Sequence, residues 1–263
     1  MEILVCAKRV PDTSENEIQL NDAGNDIERD DLVYSINEPD NYAVEEALQM
    51  VERAGGTVTV ATVGGEDDEE ILRREMAMGA KNGVMISDEA FEGSDGKGIA
   101  TILKAYVAKN HYDLILTGVQ AEDGGAQVGG MLAAMLDYPF ASLVTSIEVL
   151  DGGKLKISRE IEGGNKEINE IDLPCVLSIQ TGINEPRYVG MRGIRQVASV
   201  PIPTFGADDL GVDMAAVGAA GNKVKRVDYF VPPAGKGAEM LEGAPEEIAD
   251  KLIVLLKAKG GLN

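Results

Sequence analysis

The chain has 263 residues, with 45 acidic against 24 basic side chains and a formal charge of −21. That surplus excludes a duplex nucleic-acid partner, which needs Lys and Arg to displace the counterions of its phosphates. Hydrophobic residues make up 44%, enough for a sizeable core, but aromatics are scarce and tryptophan is absent, so Leu, Ile, Val, Met and Ala must fill it.

Ile3-Leu4-Val5-Cys6-Ala7 is an apolar run too short for a helix, and it reads as a central strand of a parallel sheet. Residues 12–31 are polar and turn-rich, an excursion with a small hairpin expected around Asp22-Ala23-Gly24. A helix is expected over 42–53, with Ala43, Val44, Ala47, Leu48 and Val51 on one face and Gly55-Gly56 ending it. The β-branched run TVTVATV at 57–63 is a strand. Acidic residues 66–70 then open a helix whose dipole they suit, and Gly79 closes it. A strand at 83–87, a helix at 99–109 and a strand at 114–117 follow. Alternating strands and helices require crossover connections, so the expected fold is α/β, a mostly parallel doubly wound sheet covered on both faces.

After the strand at 114–117 comes a polar, glycine-bearing loop over 118–125. Behind it Val128, Met131, Leu132, Met135 and Leu136 recur at helical spacing. Strand, flexible loop and helix start can bring N–H groups and the positive end of a helix dipole to a phosphate; the same spacing also serves as a plain strand-to-helix turn. Past Pro139 the pattern changes to extended segments at 143–150, 154–161 and 166–171. Asp151-Gly152-Gly153 and Glu162-Gly163-Gly164 join them as hairpins, a β-hairpin excursion from the sheet. LPCVLSIQ at 173–180 is again a continuous apolar strand that can rejoin the sheet. From Pro201 Gly, Ala, Pro and Asp dominate, so the expected division is an α/β domain over 1–200 and an extended arm over 201–263. The arm ends in a well-specified helix. Pro245, Glu246 and Glu247 open it, Ile248, Leu252, Leu255 and Leu256 share a face, and Lys257, Lys259 and Gly260 close it. Such a helix docks either on another subunit or on its own domain.

No catalytic constellation and no metal set stand out. His111 is the single histidine, and Cys6 and Cys175 lie far apart in apolar contexts, as buried thiols of a reducing compartment do. There is no P-loop glycine–lysine–serine run and no G-x-G-x-x-G after the first strand. The opening MEILVCAKRV carries no leader, and no apolar run approaches membrane-spanning length, so a cytoplasmic protein without membrane insertion is expected.

The segments VCAKRVPD, INEPDNYAVEEAL, REMAMGA, GVQAEDGGAQVGGMLAAMLDYP, ISREIEGG, LPCVLSIQTGINEPRY and DDLGVD occur in that order, up to about residue 213. Together they resemble the β subunit of electron transfer flavoproteins. The resemblance implies an adenine-nucleotide α-hydrolase-like fold and an electron-carrier subunit that is not an enzyme. It also implies a heterodimer with an α subunit that holds the redox FAD. A structural AMP would lie against Cys6, Asn37, Glu38, Pro39, Asp40 and Val63, with backbone at Cys6 and Val63 meeting the adenine. The rest of that site would be Gly118, Val119, Gln120, Ala121, Glu122, Asp123, Gly124, Gly125, Ala126, Gln127 and Val128, the last three holding the phosphate. Two departures from the family pattern fall here. The loop over 123–127 is one residue shorter, and Glu38 precedes Pro39.

Three alternatives stay open: an electron-bifurcating variant with a second FAD in place of AMP, an ATP-binding sensor or enzyme of the same fold, and a structural subunit with an empty pocket. The loop over 184–195 resembles the family's recognition loop for acyl-CoA or related dehydrogenases. Met191 falls at its anchor, where a flexible thioether suits several partners. Glu160 matches a glutamate associated with partner docking and subunit contacts; it would equally serve as a plain hairpin charge.

Overall fold

Alternate residues of the central strands face two separate apolar layers, and the architecture follows from that. The computed structural model describes residues 1–121, 123–235 and 237–262. Its contacts fall into two units: residues 1–18 with 29–227, and residues 19–28 with the chain from Asp228 onward.

In the first unit the elements run β1 (Glu2–Cys6), β2 (Arg9–Pro11), β3 (Tyr34–Ile36), α1 (Glu38–Ala54), β4 (Thr57–Val63), α2 (Glu69–Met78) and β5 (Asn82–Ile86). They continue as α3 (Gly96–Val107), β6 (Leu114–Gly118), α4 (Val128–Leu136), β7 (Phe140–Leu150), β8 (Lys154–Ile161), β9 (Asn165–Asp172) and β10 (Cys175–Ile179). Then come α5 (Met191–Val197), β11 (Thr204–Phe205), α6 (Ala207–Leu210) and α7 (Gly218–Gly221). Nine strands form one sheet in the order β11-β5-β4-β1-β6-β10-β7-β8-β9, parallel from β11 to β7 and antiparallel from β7 to β9. The α/β, doubly wound expectation holds.

Ile3 and Val5 of β1, Leu114 and Leu116 of β6, and Cys175 and Leu177 of β10 pack with Ala43, Val44, Ile71 and Leu72 of α1 and α2. The residues between them, Leu4, Ile115 and Val176, pack with Ala100, Ile102, Leu103 and Leu132 of α3 and α4 on the other side. Period-two alternation thus serves two cores, each buried Leu, Ile or Val contributing about 1.5–3 kcal/mol.

Several boundaries differ from those the sequence suggests. The first helix begins at Glu38 rather than 42, because Pro39 sits in its first turn, where the missing N–H has no partner to lose. The third begins at Gly96, where the Asp95 carboxylate accepts the Gly98 N–H at 3.0 Å. The fourth begins at Val128, the first of the residues at helical spacing. The short antiparallel pair β2–β3 carries no alternation long enough to read. β7 bends at Leu143, which takes a left-handed φ of 58° where the register with β10 shifts. That bulge sets three residues of β7 against two of β10 and raises the local twist.

Residues 204–221, which the sequence groups with the arm, belong to the first unit. Backbone bonds hold them there, with Met85 N–H donating to Pro203 C=O and Ser87 N–H to Phe205 C=O, both at 3.0 Å. Ala207, Leu210 and Val217 are buried in the second core. In the second unit Leu20 and Ile27 bridge across a turn over 21–26, as the expected hairpin requires. The same unit contains α8 (Pro245–Ala258), whose Glu247 carboxylate accepts the Ala244 N–H at 3.4 Å. No helix among the described residues is long and apolar enough to cross a membrane.

Candidate functional site

The strand order reverses at β1: β4 and β5 lie on one side of it, β6 and β10 on the other. The helices that follow β1 and β6 therefore leave on opposite faces and open a crevice at the carboxyl ends, where such sheets take ligands. A cavity of about 1070 Å³ lies there. Ala61, Val63, Phe91, Ile99 and Leu103 form an apolar flank; Lys8, Asn37, Asp40 and the residues Gly118–Ala121 and Asp123–Gly129 form a polar one.

Asp40 joins the two sides. Its Oδ2 accepts the Lys8 N–H at 2.9 Å and its Oδ1 the Gly118 N–H at 2.8 Å, so one carboxyl of α1 ties the ends of β1 and β6 together. Burial raises its pKa to about 7, against the pull of those two donors. Asn37, also buried, donates from Nδ2 to the Gln120 carbonyl at 2.9 Å and fixes the start of the loop. Gly118 has to be glycine, since a Cβ there would stand 2.4 Å from Asp40 Oδ1. Gly129 is equally constrained: a Cβ would stand 2.6 Å from Ser178 Oγ and 2.8 Å from Thr117 Oγ1, so α4 starts directly on the sheet. The first-turn N–H groups of α4 have no acceptor within their own helix. Lys8 Nζ meets Asp123 Oδ1 at 2.5 Å across the mouth of the loop. Burial and the charge of Asp40 push the Cys6 thiol up to about 12, so it is a protonated wall and not a nucleophile.

Most of the residues expected at the site come together. Cys6, Asn37, Asp40, Val63, Gly118, Val119, Gln120, Ala121, Asp123, Gly124, Gly125, Ala126, Gln127 and Val128 all line the cavity. Pro39 does not, being buried behind Gly118, and Glu38 is exposed outside the lining. Glu122 lies outside the described residues. Sequence reasoning missed Lys8, the loop after β5 from Ser87 to Gly96, and the chain from Ala219 to Arg226. A signal existed for the loop after β5, because it leaves the carboxyl end of a parallel strand.

The two expected docking residues are exposed elsewhere on the first unit. Met191 is 66% exposed at the start of α5, and Glu160 on β8 accepts from Gln180 Nε2 at 3.2 Å. The segment leading to Met191 is moored to α1. Arg187 donates from Nε and Nη2 to the two oxygens of buried Glu45 at 2.8 and 3.0 Å, and from Nη1 to Glu52 at 2.7 Å. Burial opposes the charge of Glu45, but those donors hold its pKa below the usual value.

A flat apolar group can enter along the Val63–Leu103 side while an anionic tail reaches the loop and the start of α4, a combination that fits a nucleotide. The chain matches the electron transfer flavoprotein domain over residues 25–210. It is 36% identical over 260 residues to electron transfer flavoprotein subunit beta of Methylophilus methylotrophus, covering 97% of this chain and 98% of that protein. The corresponding protein of Bacillus subtilis is 36% identical over 261 residues, covering 98% of each. Caffeyl-CoA reductase-Etf complex subunit CarD of Acetobacterium woodii is also 36% identical, over 98% of this chain and 99% of that one.

Proposed function

The chain belongs to the electron transfer flavoprotein family, in its β-subunit branch, and from that premise we propose that it holds AMP as a structural nucleotide and pairs with an α subunit that carries FAD. The FAD supplies the redox chemistry when bound. This chain's residues shape the heterodimer, hold the nucleotide and present a docking face to an acyl-CoA or related dehydrogenase.

The cavity at the β1/β6 reversal carries the reading. Strand ends at Cys6 and Val63 offer backbone to an adenine edge, and the loop to α4 offers N–H groups to a phosphate. Met191, exposed on a segment moored by Arg187, is the anchor for the dehydrogenase, and the apolar face of α8 docks on the α subunit.

Co-purification with the α subunit, acid release and mass spectrometry of the supernatant test the reading. AMP and FAD in equal amounts, with flavin bleaching on addition of acyl-CoA and its dehydrogenase, are the expected result. A colourless, nucleotide-free chain that never takes up an α subunit overturns it. A second FAD in the cavity is the competing reading. The volume of about 1070 Å³ favours it, lying at the upper end of small-molecule sites, as does the likeness to a subunit of a reductase–Etf complex. Two FAD and no AMP per heterodimer would select it.

A further inference from the structure

One wall of the cavity is a piece of chain that sequence reads as linker. Residues 217–224 lie along the loop after β5, held by polar contacts throughout. The Gly218 N–H donates to Ser94 Oγ at 2.7 Å, and the Ala219 N–H to the Glu92 carbonyl at 3.1 Å. Asn222 reaches back twice, its Oδ1 accepting the Asp95 N–H at 2.7 Å and its Nδ2 donating to the Gly93 carbonyl at 2.8 Å. Asp95 completes the clasp. While one oxygen caps α3, the other accepts the N–H groups of Lys223 and Val224 at 2.6 and 3.1 Å. Contact is close enough that a Cβ on Gly218 would stand 2.5 Å from the Ala90 carbonyl.

The chain emerging from this clasp is Lys223-Val224-Lys225-Arg226, and it lines the cavity in a protein of charge −21. Most carboxylates around it are already committed. Asp40 serves the N–H groups of Lys8 and Gly118, Asp88 those of Ala90 and Ala207, and Asp123 the ammonium of Lys8. Glu89 and Glu92 also line the cavity, but among the described residues neither they nor Lys223 and Lys225 form an ion pair.

We propose that residues 217–226 are a strap over the nucleotide site, in which Lys223 and Lys225 attract the ligand's phosphate charge and Asp95 with Asn222 forms the latch that sets how fast the ligand leaves. The proposal rests on the nucleotide reading above and adds to it a retention device and its residues. Asp95 is a positioning residue: it touches the strap, not the ligand. Opening the clasp uncovers the cavity without breaking the strand pairing of β1 or β6.

The test uses the co-purified heterodimer with AMP as the probe, read by chase of labelled AMP and by amide exchange of the 217–226 peptide. Asn222→Ala lies outside the α3 cap and breaks only the latch. It should speed AMP release at least about tenfold and strip protection from the strap amides, while amides of β1 and β6 keep theirs. Asp95→Ala should do the same and also loosen the start of α3. Lys223→Gln with Lys225→Gln should weaken AMP about tenfold at low salt and flatten its salt dependence, leaving the strap's protection unchanged. Wild-type release rates in both latch variants, or wild-type affinity and salt dependence in the lysine variant, overturn the strap. A wild-type heterodimer that binds no AMP overturns the nucleotide reading itself, and the strap falls with it.

Discussion

Helices α1 and α8 are written in the same grammar and end in opposite situations. Each has a proline in its first turn and acidic residues beside it, Glu38 and Asp40 in one and Glu246 and Glu247 in the other. Each ends in a basic last turn, with Arg53 or Lys257. In α1 the apolar face is gone from solvent, with Ala43, Val44 and Ala47 at 0% and Leu48 at 3% exposure. In α8 Leu252, Leu255 and Leu256 remain 46%, 41% and 46% exposed. Caps and periodicity decide that a helix forms and which side is apolar; what covers that side depends on the surface it meets. The small residues of α1 let it lie close to the sheet, whereas the leucines of α8 stay half exposed, the face proposed above to dock on the α subunit.

Substitutions can sharpen that contrast. Val44→Asp puts an unpaired carboxylate between α1 and the sheet and should cost about 4 kcal/mol or more, seen as loss of the cooperative urea transition. Arg187→Ala comes next. It leaves buried Glu45 without its fork, for a loss of about 3 kcal/mol, and frees the segment that carries Met191. Denaturation midpoints and dehydrogenase affinity should both fall, whereas Met191→Ala should lower only the affinity.

Glu75 gives an effect with a distinctive pH signature. It is fully buried on α2 with neither carboxyl oxygen bonded, and burial raises its pKa from 4.5 to about 8. The unfolded chain releases this proton first, so stability falls as pH rises from about 4.5 to 8 and is level beyond. Glu75→Gln should remove that slope, stabilising the fold at pH 9 and changing almost nothing at pH 4, as urea titrations at both values would read. Smallest of all, Leu255→Asp in α8 should move the isolated chain's stability by no more than about 0.5 kcal/mol. The same change should abolish co-purification with the α subunit. Retention of the heterodimer would break the proposed contrast between the two helices.

How much of this was legible depends on what kind of force places each residue. The parallel strands were readable because burial on both faces leaves uninterrupted apolar runs such as Leu114-Ile115-Leu116. Polar positions at the strand ends, Asn37, Asp40 and the loop from Gly118 to Val128, were readable through the fold and the family likeness together. The strap was not. Gly218, Ala219 and Asn222 are placed by hydrogen bonds to Ser94, Glu92, Gly93 and Asp95, which are distant in sequence, and such bonds leave no periodicity. β11 was hidden for a similar reason. It is two residues long and defined only by its pairing with Met85 and Ile86. Lys8 was passed over because nothing in AKR distinguishes a cavity lysine from a surface one.

The carboxyl of Asp40 has a consequence for anyone seeking a neutral substitute. Both of its oxygens face backbone donors, one from each of the two strands it staples. An asparagine there has a single acceptor, so either orientation of its amide sets NH₂ against an N–H. Shape is conserved and polarity is not, and no isostere exists for this joint. Amide replacement should therefore loosen the molecule at one point, the seam between its first strand and its sixth.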